Sequence, residues 1–413
     1  MTSPQLLTTD HCNAILRNIL ETKEWKFNEV LLERPESVEG LIGDHFKVKL
    51  KYEHAGKLEC LQFFLKNVNS SSRVIRELCE NLSVFEKEEH FFNVLVKNFA
   101  GENLDVSFAP KCILCEPKFI LLEDLSPLGY KNVSNKNTFD LYHCEVALKA
   151  LASFHASSIV YEEIKSIERG SRYVLCDEKP SCFEDKLFEN TGNACSRFLN
   201  CTLLGLFAMI ERLPQSEVSP DEYKMKLTDI LEGLANPAET PEGRNVVLHG
   251  DLWSNNFMFK YENGKPVDGI LIDYQFMKYG PPAVDVMQMI VTNTRKSVRN
   301  LHLNGFLESY YKHFESYVSK YGFNPNQILP KENFLQSCKE FELVAKFQCV
   351  IDHSMTLIIN DGMEEASQSD ELLEKFMYEN RKDVLLASYE NNELYREILQ
   401  EDLIEIRDML FKS

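Results

Sequence analysis

The sequence has no excess of positive charge. Its 45 Lys and Arg residues are outnumbered by 64 Asp and Glu, a formal net charge of −19. A chain this acidic is a poor candidate for binding nucleic acids or anionic membranes, which require a basic face, so neither is an expected partner. A local basic pocket for a phosphorylated ligand is still compatible with it. Long apolar runs are missing too. The most apolar helical stretch, Leu199 to Ile210, is too short to cross a bilayer and contains Asn200. No basic segment followed by an apolar one opens the chain, so a secretory leader is not expected. Cys112 and Cys115 form a C-x-x-C string inside a strand pattern. The second pair that a zinc or redox reading needs is missing. The 12 cysteines are scattered, several of them in apolar runs (Cys60, Cys112, Cys201, Cys349). They are expected to be reduced core residues of a soluble, cytoplasmic protein. Cys349 and His353 stand one helical turn apart, but a metal bound there would lack further ligands. Internal repeats and low-complexity tracts are also absent.

What is present is an ordinary globular composition, 44% hydrophobic and 26% charged, which rules out disorder as the main state. The 413 residues suit two lobes. A first helix is expected from Thr9-Asp10 through Leu20. The period then shortens towards two. Phe46, Val48 and Leu50 alternate with lysines, His54-Ala-Gly56 makes a turn, and Leu58–Lys66 returns, which is a hairpin. One helix is expected over Val74–Phe99. Strands follow at Lys111–Cys115 and Phe119–Leu122. Beyond Asp124 the pattern is mainly helical, with a strong amphipathic helix over Tyr142–Ser157 and a long loop over Glu168–Gly192. The exception is a hairpin, Asn256–Tyr261 and Val267–Asp273, around Asn263-Gly264. The expected fold class is therefore α+β. Residues 1–125 form a β-rich N-terminal lobe ending in a hinge, and residues 126–413 a mainly helical C-terminal lobe. The cleft between them is the natural ligand site.

Chemistry concentrates in His249-Gly-Asp251-Leu-Trp-Ser-Asn-Asn256. The Asp251–Asn256 spacing is that of a phosphotransferase catalytic loop, in which the Asp accepts the proton of an attacking hydroxyl and the Asn oxygen holds magnesium. Past the hairpin, Gly269-Ile-Leu-Ile drives a strand inward and delivers Asp273 at its end. A buried lone carboxylate is costly, and a shared Mg²⁺ removes that cost. Singly, Asp251 reads as a turn former and Asp273 as a strand-end cap. Together, on the two arms of one hairpin, they point to a metal site.

These segments, HGDLWSNNFMF, ILIDYQ and GPPAVDV, resemble the ecdysteroid-kinase-like (CHK-kinase-like) family of insect small-molecule kinases. That family is similar to choline kinases and aminoglycoside phosphotransferases. The resemblance runs from the Gly40 region to beyond Asp285 and implies a bilobal, protein-kinase-like fold using ATP and Mg²⁺. It implies that Lys66, ending Phe63-Phe-Leu-Lys66, holds the α- and β-phosphates. Glu88, in Phe85-Glu-Lys-Glu88-Glu-His-Phe-Phe92, would align it, with Glu86 and Glu89 as solvated neighbours. Phe119–Leu125 would be the hinge, where backbone groups around Glu123 and Leu125 read the adenine and the side chains of Glu123 and Asp124 could serve only to end the strand. Gly40-Leu-Ile-Gly43-Asp44-His45-Phe46 stands where the family has its phosphate loop. His45 and Phe46 replace Asn and Tyr there, and Val48 replaces a Ser, removing a possible phosphate contact. Backbone N–H groups around Gly43 could still cradle the nucleotide.

In the same reading Asp251 is catalytic and Asn256 and Asp273 hold Mg²⁺, while His249 and Asp285 brace the loop. Trp253, His143 and His155 are expected to pack. The implied reaction is transfer of the γ-phosphoryl of ATP to a hydroxyl of a lipophilic alcohol such as an ecdysteroid or xenobiotic. Leu203, Leu204, Leu206, Phe207 and Met209 are candidates for the acceptor wall, with core packing as the other reading. A choline- or ethanolamine-type kinase is one alternative, and a pseudokinase that binds a ligand or partner is another. The oligomeric state is not readable. From Asp361 to Ser413 there are 15 acidic and 6 basic residues, expected to form a solvated helix surface.

Overall fold

A computed structural model describes residues 6–20, 24–35, 43–67, 72–133, 138–188, 192–235, 244–358, 366 and 369–412. Gly40 of the expected phosphate loop lies outside them. The chain begins with α1 (Thr9–Ile19), whose Thr8 cap accepts from the His11 N–H. Three strands follow: β1 (Trp25–Glu33), β2 (Asp44–His54) and β3 (Lys57–Asn67). Ala55 and Gly56 join β2 to β3 with φ of 49° and 74°, the left-handed pair that suits the twist of a two-residue hairpin. With β4 (Cys112–Glu116) and β5 (Phe119–Glu123) they form an antiparallel sheet of order β1-β2-β3-β5-β4. On one face Val48, Leu50, Tyr52, Phe63 and Leu65 pack with Cys12, Ile15 and Leu16 of α1.

The helix expected over Val74–Phe99 is broken. α2 (Arg73–Leu82) stops at Ser83, where φ turns to 55° and the chain changes direction. α3 (Val84–His90) runs on through a π-helical turn, Phe91–Leu95, into α4 (Val96–Gly101). α2 packs away from the sheet. Val74, Ile75 and Leu78 join Ala194, Cys195, Leu373, Phe376 and Met377, while Arg73 pairs with Glu374 (2.5 Å) and Arg197 with Glu77 (2.7 Å).

The remainder is mainly helical around α5 (Leu141–Arg169), which is longer than its most regular stretch and is capped by Asp140. β6 (Tyr130–Asn132), β8 (Phe257–Glu262) and β9 (Lys265–Leu271) make one small sheet, and β7 (Val246–Leu248) and β10 (Lys278–Gly280) another. α6 (Ala194–Ile210) and α7 (Pro220–Ala235) precede β7. α8 (Pro282–Asn293), α9 (Lys296–Lys320), α10 (Pro325–Ile328), α11 (Lys331–Glu340) and α12 (Glu342–Thr356) follow β10. The chain closes with helices Asp370–Glu374, Lys382–Asn391 and Glu393–Phe411. Leu203, Leu206 and Met209 of α6 are buried against Phe347, Leu385, Tyr389 and Leu399, so they are core, and Leu204 is exposed. Cys60, in an apolar run, is exposed because the first four residues of β3, Lys57 to Cys60, all lie at the surface, and no described cysteine is bonded to another. Among the described residues no helix is long and apolar enough to cross a membrane.

Candidate active site

β3 delivers Lys66 to the sheet face opposite the α1 core. Its ammonium is buried and lies 2.7 Å from Glu88 Oε2 and 2.5 Å from Asp273 Oδ1. The three residues come from β3, α3 and the chain after β9, and only the tertiary fold brings them together. Burial works against the Lys66 charge, but the Asp273 and Glu88 carboxylates outweigh it and hold the amine above the ordinary lysine value. Glu88 also accepts from the Tyr274 N–H (3.3 Å). The Tyr274 ring stacks on Phe91 at 3.6 Å. Asp273 itself has φ of 70°, a conformation that costs an L-residue energy and is found where surroundings over-determine it. Gln275 was given no role in the sequence reading, yet it is buried here. Its Oε1 lies 3.3 Å from Lys66 Nζ and its Nε2 donates to Asp273 Oδ2 (3.2 Å). Its place two residues after Asp273 was the only sequence signal for it.

The catalytic-loop candidate turns between β7 and β8. Asn256 Nδ2 donates to the Asp251 carbonyl and to Asp251 Oδ2, both at 2.8 Å. The Asn256 carbonyl accepts from the Ile272 N–H (3.0 Å), which sets Asn256 across from Ile272, the residue before Asp273, at the open end of the β8–β9 ladder. With both amide protons directed at Asp251, the Asn256 side-chain oxygen is left, like the Asp273 carboxylate, as a hard-oxygen donor of the kind that could hold Mg²⁺. Burial, then the carboxylates of Asp352 and Asp273, push Asp251 well above the ordinary carboxylate range. Hydrogen bonds from the Asn256 and Trp253 side chains act the other way. Trp253 is therefore a partner of the Asp251 carboxylate rather than packing alone. Asp352 on α12 is a second acidic neighbour that the sequence reading missed, and burial pushes it up to about 7.

Beneath the loop, Asp285 is fully buried. It accepts from the backbone N–H of His249 (2.6 Å) and of Gly250 (3.1 Å). His155 Nε2 also reaches Asp285 (3.1 Å), while its Nδ1 meets the Tyr310 hydroxyl, so His155 is part of this brace and not merely packed. His143 bridges Asp140 and the Tyr261 hydroxyl. The His249 ring joins the two arms through the Ile272 carbonyl (3.0 Å). Gly250 has φ of 79°, and a Cβ there would meet the Phe276 carbonyl oxygen at 2.4 Å.

At the hinge, Glu123 is engaged elsewhere. Its carboxylate accepts from the Lys111 N–H (2.6 Å) and its own N–H donates to the Lys111 carbonyl. Its side chain thus ties β5 to the chain entering β4. Leu125 packs with Tyr130 and Ile270, with Met258 and Ile272 against them. Gly43 has φ of 88° and lies over Lys66 and the Asn67 carbonyl, and His45 pairs across the hairpin with Lys66. Val48 lies on the opposite face, buried in the α1 core. The contact expected to be lost with a Ser at 48 therefore does not arise, because position 48 has the wrong parity to face Lys66.

The profile of the Ecdysteroid kinase-like family matches residues 37–323. No curated protein matches the chain. Among solved structures it is similar to an ethanolamine kinase of Plasmodium vivax at 11% identity, covering 94% of this chain and 89% of the other, with a TM-score of 0.37. It is also similar to ADP-bound aminoglycoside phosphotransferase APH(2'')-Ib at 16% identity, covering 97% and 99%, with a TM-score of 0.39. The GDP complex of aminoglycoside 2'-phosphotransferase-IIIa stands at 11% identity, covering 96% and 98%, with a TM-score of 0.38. The family match takes in the phosphate-loop region, Lys66, Glu88 and the whole hairpin that carries Asp251, Asn256 and Asp273. This chain belongs to the Ecdysteroid kinase-like family and is a small-molecule kinase.

Proposed function

We propose that the protein transfers the γ-phosphoryl of ATP to a hydroxyl of a small lipophilic alcohol, an ecdysteroid or a xenobiotic. The observation that carries the chemistry is the meeting of Lys66, Glu88 and Asp273 with Asp251 and Asn256 around one hairpin. Lys66, aligned by Glu88, binds the α- and β-phosphates. Asn256 and Asp273 would hold Mg²⁺, which supplies charge neutralisation on the phosphates when bound. Asp251 orients the acceptor hydroxyl and takes its proton, for which a carboxylate raised by burial is better matched than an ordinary one. Asp285 and His249 hold the loop in register. The backbone around Gly43 and Leu125 receives the nucleotide. The cleft between the lobes, residues 1–125 and 126–413, is where donor and acceptor meet, and the protein acts in the cytoplasm.

A second reading has one observation in its favour. A choline- or ethanolamine-type acceptor needs an anionic group beside the reacting hydroxyl, and Asp352 stands in that electrostatic range of Asp251. Incubation with Mg-ATP and a panel of sterols, amino-alcohols and aminoglycosides, followed by mass analysis of products, separates the two. A phosphorylated sterol supports the first reading and a phosphorylated amino-alcohol the second. Asp251→Asn is expected to lower turnover by about 100-fold or more while nucleotide still binds. Equal turnover would overturn the mechanism. Absence of nucleotide binding would leave a ligand-binding pseudokinase.

A further inference from the structure

Cys349 and His353 lie one turn apart on α12, and helix Glu393–Phe411 brings Asp402 to them. The ligand pair that looked incomplete in sequence therefore has a third member. One ligand atom from each residue lies within 4.8 Å of the others. Cys349 Sγ is 3.4 Å from His353 Nδ1, and Nδ1 is 2.7 Å from Asp402 Oδ2. The other ring nitrogen, Nε2, is 3.0 Å from the Thr292 carbonyl. A carbonyl only accepts, so Nε2 carries hydrogen and Nδ1 is the atom turned into the cluster. We infer that Cys349, His353 and Asp402 form a binding site for a borderline-soft divalent cation of the zinc type.

Three features carry this. The donor set of thiolate, imidazole and carboxylate is the kind zinc takes, and a histidine ligand usually donates its second N–H to a carbonyl or carboxylate. In a tetrahedral site with bonds of about 2.0–2.3 Å the donor atoms stand roughly 3.3 Å apart. The sulfur–nitrogen separation already matches, the nitrogen–oxygen one needs about half an ångström of opening, and the sulfur–oxygen one, within 4.8 Å, has to close on the ion. Charge also balances, since two positive charges meet one thiolate and one carboxylate in a largely buried place. Besides the ring, the Cys349 thiol makes one long contact among the described residues, to the Val291 carbonyl (3.8 Å). A cleft lined by His353, Asp402, Glu401, Thr292, Trp253 and Ser254 reaches two of the three ligands, with Cys349 fully buried behind them, and gives a path of entry from that side. The bound ion would pin the last helix to α12. It would also firm the catalytic loop, because Asn293, next to Thr292, donates to the Leu252 carbonyl (2.7 Å).

The test is metal content and cobalt spectroscopy on the full chain with Mg-ATP present, so that the nucleotide site is occupied. Wild type is expected to retain about one Zn²⁺ per chain after gel filtration. Loaded with Co²⁺, it should show a thiolate-to-cobalt charge-transfer band and a raised melting temperature. Cys349→Ser should lose the band, and His353→Gln and Asp402→Asn the stoichiometric metal. If any variant fails to fold, the wild-type spectrum alone decides. Wild type without stoichiometric zinc or without the band would leave only a His353–Asp402 ion pair and overturn the site, as would undiminished cobalt spectra in Cys349→Ser.

Discussion

At the scale of single residues the site is governed by charge in a dry setting. Lys66 and Glu88 are both buried, and each makes the other tolerable. Lys66→Met is therefore expected to cost about 3–5 kcal/mol, because it strands the Glu88 carboxylate. Denaturant unfolding measures this, and the double variant with Glu88→Gln should recover part of the loss. His45 offers a second test. Burial, then the neighbouring Lys66 cation, lower it to about 4. The unfolded chain takes a proton near pH 6.5 that the folded chain refuses until about pH 4. Its contribution is thus present above about 6.5 and is lost as pH falls towards 4. His45→Asn removes that term, so the urea midpoint should fall less between about pH 7 and about pH 5 than in wild type. Asp251 was legible through its spacing to Asn256, and Lys66 through the resemblance and its place at the end of an apolar run. Gln275 and Asp352 were not, since their roles come from neighbours remote in sequence.

At the scale of elements the β8–β9 hairpin matters most. Its turn, its apolar inner arm and the two carboxylates at its ends were all readable from residue order. What holds its geometry was not, namely the Asp285 carboxylate under two loop amides and the αL backbone at Gly250 and Asp273. Gly250→Ala should cost about 1–3 kcal/mol and abolish turnover, since its Cβ collides with the Phe276 carbonyl. Thermal unfolding together with product formation checks both effects. Some elements escaped the sequence reading for identifiable reasons. A bulge between Phe27 and Glu29 breaks the alternation of β1. β6 and β10 are only three residues long and exist through pairing. Helix breaking at Ser83 left no mark because apolar spacing continues across it.

At the scale of the whole molecule the acidic C-terminal helices proved more than a solvated surface. Asp370 bonds Ser72, Glu374 pairs with Arg73, and Glu401 pairs with Arg295. Glu405 is buried between Arg299 and Lys346. These carboxylates fasten the last helices to α2 and to the helical core. Glu405→Ala leaves two buried cations without their common partner. It should destabilise the protein by about 3–5 kcal/mol, read as a lower unfolding midpoint, while a change at exposed Glu379 should do little.

Residue order alone determined the α+β class, the two hairpins, the catalytic-loop spacing and the net negative charge. These are local or additive properties: periodicity, turn chemistry and summed charge. The tertiary structure decided which carboxylate meets Lys66, that position 48 faces away from it, that Glu123 is spent on Lys111, and that Asp402 completes the cluster with Cys349 and His353. Each of these depends on contacts between residues distant in the chain, whose partners are selected only when the sheet, the hairpin and the last helix pack together.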